Sequence, residues 1–437
     1  MEDNKPKKIL ILQKALRVMA VLVLKKYNPK IISITGSVGK TSTKEAVFTV
    51  MASKFRVRGN DKNYNNEIGL PLTIIGVESG ESSLIGWIIV FLKWLWIMLA
   101  PIEYPEILVL EMGADRPGDI KYLTSFIKSN AAVITDFSSS HVEFFKNVEG
   151  VAKEKSVLVK ELDEKGLAVL NVDNPYVAKL VDQLKCNVTT FGFSEEAEMR
   201  ATDISFSYTG DEQDLKGLSF KLNYKGSTIP VRLNNVLAKH QIYSALAAAA
   251  IGVGFGINLV EVGAALENFS LPYGRMNLIG GIKNTNIIDD TYNSSPTSAL
   301  AALDALGEIA AERRIAVMGD MLELGEETEE KHRAVGKKFL VSKGDIFFAV
   351  GQRMKFAGEE LEKNKFSKNN LFYFASPLEA GKKLQEIIQA GDLILVKGSQ
   401  GMRMEKVVEE IMAEPLEAEK LLCRQSAHWK EIPWRPV

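Results

Sequence analysis

Cysteine is nearly absent from this chain. Only Cys186 and Cys423 occur in 437 residues, too few for a disulfide framework or a four-thiolate zinc site, and a reducing, cytosolic setting is expected. Histidine is almost as scarce: His141, His240, His332 and His428 are the full set, so a histidine inside a motif carries weight. There is no cationic excess. The 54 Lys and Arg are matched by 55 Asp and Glu, which leaves nothing spare for a phosphate backbone, and no nucleic-acid partner is expected. No G-x-G-x-x-G follows a strand-like run, so a dinucleotide site lacks support. No small-residue cleavage site follows the first apolar run, which makes a secretory leader a poor reading of it. What is left has the composition of a globular protein, too long for one ordinary core, with two or three domains expected.

The most informative stretch is Ile31-Ile-Ser-Ile-Thr-Gly-Ser-Val-Gly-Lys-Thr-Ser42. A β-branched run ends in a glycine turn, and Lys40, Thr41 and Ser42 stand where a helix should start. This is the layout of a phosphate-binding loop. Gly36 and Gly39 let the backbone around Ser37 and Val38 curl its N–H groups inward, and the helix N-terminus adds partial positive charge. Lys40 would meet the β/γ-phosphates, and Thr41 or Ser42 would offer a hydroxyl to Mg²⁺. The usual motif has another glycine where Ile34 stands, so the loop is a short variant. A glycine-rich turn without function is the bland alternative, and the register of strand, glycines, lysine and threonine argues against it.

After the loop the pattern repeats as strand, loop and helix, the signature of an α/β fold with a mostly parallel central sheet. Gly59–Gly69 is a polar loop crowded with asparagine. It reads either as a surface turn or as a ligand-contacting loop holding Asn65, Asn66 and Glu67. Ile107–Leu110 is a buried strand leading to Glu111, a carboxylate on the ligand edge of such a sheet and a candidate Mg²⁺ ligand. Ala131–Thr135 is a second strand, leading to His141. Lys153 and Lys155 lie on a helix, and from their chemistry alone both belong in solvent. Leu237–Gly254 reads as an alanine-rich buried helix with His240 and Gln241 in its first turns. Past the linker Pro272–Met276, strands recur at 287–289, 315–318, 346–350 and 393–396, a second doubly wound, Rossmann-like α/β unit. Its strand ends carry Asp290, Tyr292 and Asn293.

Two segments do not fit this scheme. Ile9–Leu24 is apolar apart from Gln13, Lys14 and Arg17, which share one helical face, and lysines flank it. Leu84–Ala100 is apolar all round except for Lys93 and holds three of the five Trp. It is short for a membrane span, and tryptophan favours the membrane–water interface. The two are expected to be helices that pair, and that either pack on the protein or make peripheral contact with an anionic membrane surface.

Taken together, TGSVGKTS (35–42), NYNNEIGLPLT (63–73), LEMGADRPGDI (110–120), SSSHVEFF (138–145), GVAKEKS (150–156), IIDDTYNSSPTS (287–298), VMGDMLELGEE (317–327) and VKGSQGMRMEKVV (396–408) resemble the Mur ligase family. These are ATP-dependent amide-forming enzymes of peptidoglycan precursor synthesis, and the likeness is greatest to the branch that adds D-Ala-D-Ala to a UDP-sugar-peptide. The resemblance implies an ATP-binding domain over 30–271 and a C-terminal domain over 272–437; the basic, apolar helix expected over 1–29 and the apolar insertion 84–100 depart from the family pattern. It implies an acyl-phosphate mechanism with ATP and Mg²⁺, acting as a cytoplasmic monomer on small-molecule substrates. Lys40 would hold phosphates, Thr41, Glu111 and His141 would hold metal, and a carbamylated lysine would add anionic oxygens. Motif matching places that lysine at Lys155, with Lys153 as the fallback. Arg275 corresponds to the family's phosphate-reaching arginine and Asp290 to its ribose-binding aspartate, with Tyr292 and Asn293 beside it. Gln241 stands where the family usually has Asn against adenine. Full-length relatives carry an N-terminal UDP-gripping domain, for which the thirty residues before the loop are too few. The alternatives are another amino-acid ligase of this type, such as a folylpolyglutamate-like one, or an ATP-binding scaffold whose chemistry has decayed.

Overall fold

The structure is a computed structural model that describes residues 7–60, 64–81, 83–138, 145, 147–209 and 214–432. The chain forms two compact units. One comprises residues 1–204, 219–232 and 240–269, the other 205–218, 233–239 and 270–437.

In the first unit the strands are β1 (Lys30–Thr35), β2 (Val57–Gly59), β3 (Ile107–Glu111), β4 (Ala131–Ile134), β5 (Leu167–Asn171) and β6 (Asn187–Gly192), followed by β7 (Met199–Thr209), β8 (Asp214–Tyr224) and β9 (Ser227–Asn234), of which residues 205–209, 214–218 and 233–234 count with the second unit. Their order is β2-β3-β1-β4-β5-β6-β7-β8-β9, and all pairs from β2 to β7 are parallel. Strands covered on both faces read as continuous apolar runs, and β3 and β4 are buried throughout. β8 turns into β9 through Lys225 and Gly226, both at positive φ, the backbone of a two-residue hairpin loop.

The helices of this unit that matter below are α1 (Lys7–Tyr27), α2 (Lys40–Ala52), α3 (Gly69–Ile75), α4 (Leu84–Leu99), α5 (Asp119–Thr124), α6 (Val148–Lys160) and α7 (Ile242–Gly254). α7 packs on α2, and small side chains are what permit this. A Cβ on Gly252 would come within 2.7 Å of a Val50 methyl. The alanine-rich helix starts at Ile242 rather than Leu237; Lys239–Gln241 form a 3₁₀ turn instead. The preceding Val236 is held in a β-bridge to Asn277. Leu16, Ala20, Val23, Val90 and Ile97 of α1 and α4 share one core with α3, α5 and α6.

The expected pairing of the two apolar helices is observed. Trp94 Nε1 donates to the Met19 carbonyl at 3.1 Å, and the Tyr27 hydroxyl to the Ile97 carbonyl at 2.6 Å. Of the polar stripe of α1, Lys14 is exposed, but Gln13 and Arg17 are turned onto the protein. Gln13 is buried and donates to Glu67 Oε1 at 2.9 Å, and the Arg17 guanidinium lies over the Tyr122 and Phe126 rings.

The second unit holds β10 (Asn277–Gly281), β11 (Thr285–Asp290), β12 (Arg313–Gly319), β13 (Ile346–Val350), β14 (Leu371–Phe374) and β15 (Asp392–Lys397), ordered β10-β11-β15-β12-β13-β14. Only β10 is antiparallel. Helices 296–308 and 328–341 cover one face of this sheet and helices 377–387 and 405–411 the other.

Candidate active site

Ligands of open α/β sheets bind beyond the strand ends where the strand order reverses. In the first unit that point is β1, which has β3 on one side and β4 on the other. The loop after β1 is therefore flanked by Glu111 and Thr135. Gly36 has to be glycine here, because a Cβ would stand 2.0 Å from Thr135 Oγ1. Gly39 lies in the left-handed region at φ 82° and starts α2 directly. Thr135 Oγ1 donates to the Val38 carbonyl at 2.6 Å, Ser37 N to the Asp136 carbonyl at 2.8 Å, and Thr35 Oγ1 to the Met112 carbonyl at 2.8 Å. These bonds tie the loop to the residues at the ends of β3 and β4. The Lys40 ammonium rests on the carbonyls of Gly36 (2.9 Å) and Ser37 (3.2 Å). Ser42 is buried and Thr41 is half-exposed, which leaves Thr41 as the hydroxyl better placed for a ligand.

Glu111 is buried at the end of β3, opposite Ile34 in register. Asn65 Nδ2 donates to its Oε1 at 3.2 Å, and Asn60 brackets its backbone, accepting from Glu111 N at 2.7 Å. Asn66 does something else: its Oδ1 accepts from the N–H groups of Ile68 and Gly69 and so starts α3. With Glu67, Leu10, Gln13, Asp115 and Tyr122, both asparagines line a cavity of about 370 Å³. Lys155 on α6 is 1% exposed, whereas Lys153 is exposed. Burial pushes the Lys155 ammonium down to about 8. The Lys40 charge adds to the effect, and the carboxylates of Asp115, Glu154 and Glu111 oppose it. Next to it, Glu154 accepts from Gly118 N and Ile120 N, each at 2.8 Å, and caps α5. His141 lies outside the described residues.

Gln241 is buried in the 3₁₀ turn before α7, its Nε2 3.2 Å from His240 Nε2. In the second unit, the Arg275 guanidinium stacks over the Tyr292 ring at 4.5 Å. Asp290 and Lys397 are register partners on β11 and β15, and the Lys397 ammonium reaches Asp290 Oδ2 at 2.6 Å and the Asn293 carbonyl at 2.9 Å. Asn293 Oδ1 accepts from Ser294 N. Arg275, Asp290, Tyr292 and Asn293 thus share one strand-end neighbourhood.

The chain matches the Mur ligase middle domain over residues 96–252 and the Mur ligase, glutamate ligase domain over 274–400. A UDP-N-acetylmuramoyl-tripeptide–D-alanyl-D-alanine ligase of Bacillus subtilis is 31% identical over 403 residues, covering 92% of this chain and 80% of that protein. The chain belongs to the Mur ligase family. The Escherichia coli ligase of the same name is 28% identical over 395 residues, covering 90% of this chain and 79% of the relative. Among solved structures, MurF from Acinetobacter baumannii superposes with a TM-score of 0.74 at 26% identity, covering 93% of this chain and 80% of that one. MurF of Thermotoga maritima in complex with ADP gives 0.70 at 26%, covering 93% and 84%. This Mur ligase is an ATP-dependent amide-bond-forming enzyme of the peptidoglycan pathway, and ATP and Mg²⁺ are the family's cofactors.

Among the described residues no three His, Cys, Asp or Glu side chains form a ready-made metal cage. The donors at hand in this Mur ligase are the buried Glu111 carboxylate and the Thr41 hydroxyl, beside a lysine whose ammonium form is disfavoured. Oxygen donors of this kind suit a hard cation such as Mg²⁺. Three supporting residues are not identifiable from local sequence. Thr135 holds the loop, Asn60 fixes the end of β3, and Lys397 pairs with Asp290. Asn60 left a signal as part of the asparagine-rich loop, and Lys397 as part of the stretch 396–408, but neither pointed to its partner.

Proposed function

We propose that this Mur ligase joins D-Ala-D-Ala to a UDP-MurNAc-tripeptide in the cytoplasm through an acyl phosphate. The peptide carboxylate takes the γ-phosphoryl group of ATP and ADP leaves. The dipeptide amine then attacks the acyl carbonyl, and the tetrahedral adduct expels phosphate as the amide forms. No bond to the protein is required, so catalysis is positioning and charge neutralisation. The loop amides of Gly36–Ser42 other than Ser37 N, which Asp136 holds, and the Lys40 ammonium would cradle the β/γ-phosphates. Asp290 already directs Oδ2 to Lys397, and its other oxygen would take ribose hydroxyls. Tyr292 and Asn293 would flank the nucleotide, Gln241 would face adenine, and Arg275 would reach the phosphates. Asn65, Asn66 and Glu67, which line the 370 Å³ cavity, would contact the acceptor. Thr41, Glu111, His141 and a carbamate on Lys155 would hold Mg²⁺, which when bound offsets phosphate charge.

The observation that carries this reading is the burial of Lys155 within electrostatic reach of both Lys40 and Glu111. A solvated helix lysine would have no reason to be there. The likeness to a D-Ala-D-Ala ligase over 80% of that relative's length supports the choice of acceptor. The test is phosphate release with ATP and Mg²⁺ across a panel of acceptors. Release should require UDP-MurNAc-tripeptide and D-Ala-D-Ala together. Equal release with glutamate on a folate acceptor, or ATP binding with no acceptor-dependent turnover, would overturn it.

A further inference from the structure

α4 is built the wrong way round for a helix that only packs. Its buried side is narrow, with Val90 and Ile97 its buried residues. Its outward side presents Leu84, Ile85, Ile88, Ile89, Phe91, Leu92, Trp96 and Leu99, each between 47% and 82% exposed, together with the exposed Lys93. Soluble monomers rarely leave so many large apolar neighbours open, and such patches mark interaction surfaces. α1 continues the theme, with Ile11 68% and Val18 58% exposed, while its polar Gln13 and Arg17 are turned onto the protein. The open faces thus combine hydrocarbon with the exposed cations Lys14, Lys25 and Lys93.

We propose that the outward faces of α1 and α4 dock this chain on an anionic lipid bilayer. The charge pattern selects that partner. The two helices contain seven Lys and Arg and no Asp or Glu. Carboxylates begin only in the flanking loops, where Glu103 and Glu106 are within 3.7 and 3.8 Å of Arg56 nitrogens. A second copy of this chain would set like charge against like charge across a symmetric contact, which disfavours a dimer through this face. An anionic headgroup layer is complementary, and each lysine near it contributes favourably.

Geometry favours lying on the surface over crossing it. Sixteen residues of helix span about 24 Å, short of the roughly 30 Å hydrocarbon core. No described helix is long and apolar enough to cross a membrane. Trp96, 67% exposed, puts an indole on the open face, and that side chain prefers the membrane–water interface. Lys26 anchors the pair, donating to the carbonyls of Ile97, Met98 and Ala100 at 2.8–3.1 Å. Leu10 belongs both to the wall of the 370 Å³ cavity and to the open apolar surface, so the docked chain holds that cavity beside the headgroups.

The test is co-sedimentation of the full chain with vesicles of phosphatidylcholine alone or with phosphatidylglycerol added. The wild type should pellet with the anionic vesicles, roughly tenfold more tightly than with the neutral ones, and less well as salt rises. Ile85→Glu with Leu92→Glu should abolish pelleting. Lys14→Gln with Lys25→Gln should weaken it about tenfold while leaving the melting temperature unchanged, because all four side chains are exposed. Wild-type protein that stays in the supernatant with anionic vesicles overturns the proposal. So does pelleting unaffected by the double glutamate change, or a concentration-dependent dimer that the same change makes monomeric.

Discussion

Lys155 offers the sharpest test of the site. An ordinary lysine titrates at 10.5, and burial brings this one to about 8. The difference corresponds to about 3 kcal/mol, since one unit is about 1.4 kcal/mol. Below about pH 8 the amine is protonated in both folded and unfolded chains, and the full penalty of burying the cation falls on the fold. Between about 8 and 10.5 the folded protein has lost the proton and the unfolded chain still holds it, so stability rises with pH across that window. Lys155→Met keeps the volume and removes the charge. It should stabilise bicarbonate-free protein at pH 7 by up to about 3 kcal/mol, and the rise between 8 and 10.5 should vanish. Urea unfolding of both proteins at a series of pH values reads this directly, with the wild-type minus variant difference cancelling other titrations. The same shift prepares the amine for CO₂. At pH 7.5 about one-quarter is neutral, against about 0.1% for an unshifted lysine. Turnover should therefore fall in bicarbonate-free buffer and return with bicarbonate, while Lys155→Met stays inactive in both. A variant less stable than wild type at pH 7, or full turnover by Lys155→Met, would refute the assignment.

Other outcomes follow from the phosphate loop and its counterpart in the second unit. Lys40→Ala should reduce acceptor-dependent phosphate release at least ~100-fold, the scale on which one positioned charge contributes, with an unchanged circular dichroism spectrum; retained activity would remove the loop assignment. Gly36→Ala places a Cβ 2.0 Å from Thr135 Oγ1, so calorimetry should show nucleotide binding weakened severely while the protein still melts cooperatively. Lys397→Met strips the partner from Asp290 inside the second unit, where Lys397 is 1% exposed. A loss of about 3–5 kcal/mol is expected in denaturant unfolding, and a loss below about 1 kcal/mol would mean that the pair is effectively solvated.

Much of this was legible along the chain because the relevant physics is local. The β-branched run 31–35, the glycines at 36 and 39 and Lys40 define strand, turn and helix start within a dozen residues. Glu111 was readable as a strand-end carboxylate because 107–110 can only be a buried strand. β10 and β14 were not read. They are the two edge strands of their sheet, the first ending in a pair of glycines and the second not buried throughout, so neither shows the continuous signal of a strand covered on both faces. The start of α7 moved to Ile242, behind the 3₁₀ turn Lys239–Gln241.

By itself, then, the sequence determined two α/β units, a short-variant phosphate loop, a family, and two apolar helices of uncertain use. Tertiary structure decided what neighbours in sequence cannot. Lys153 and Lys155 are chemically identical and two residues apart, yet the helix turns one to solvent and the other inward, and only packing chooses which. Asp290 and Lys397 are separated by 107 positions and meet because β11 and β15 pair in register. Gln13 and Arg17 were drawn onto the protein by Glu67, Tyr122 and Phe126, which left hydrocarbon and Lys14 facing out. The loop's glycines needed no partner to be recognised, but Thr135, the residue that makes Gly36 obligatory, comes from β4. Local sequence dictates conformation; burial and charge pairing depend on which surfaces the fold brings together.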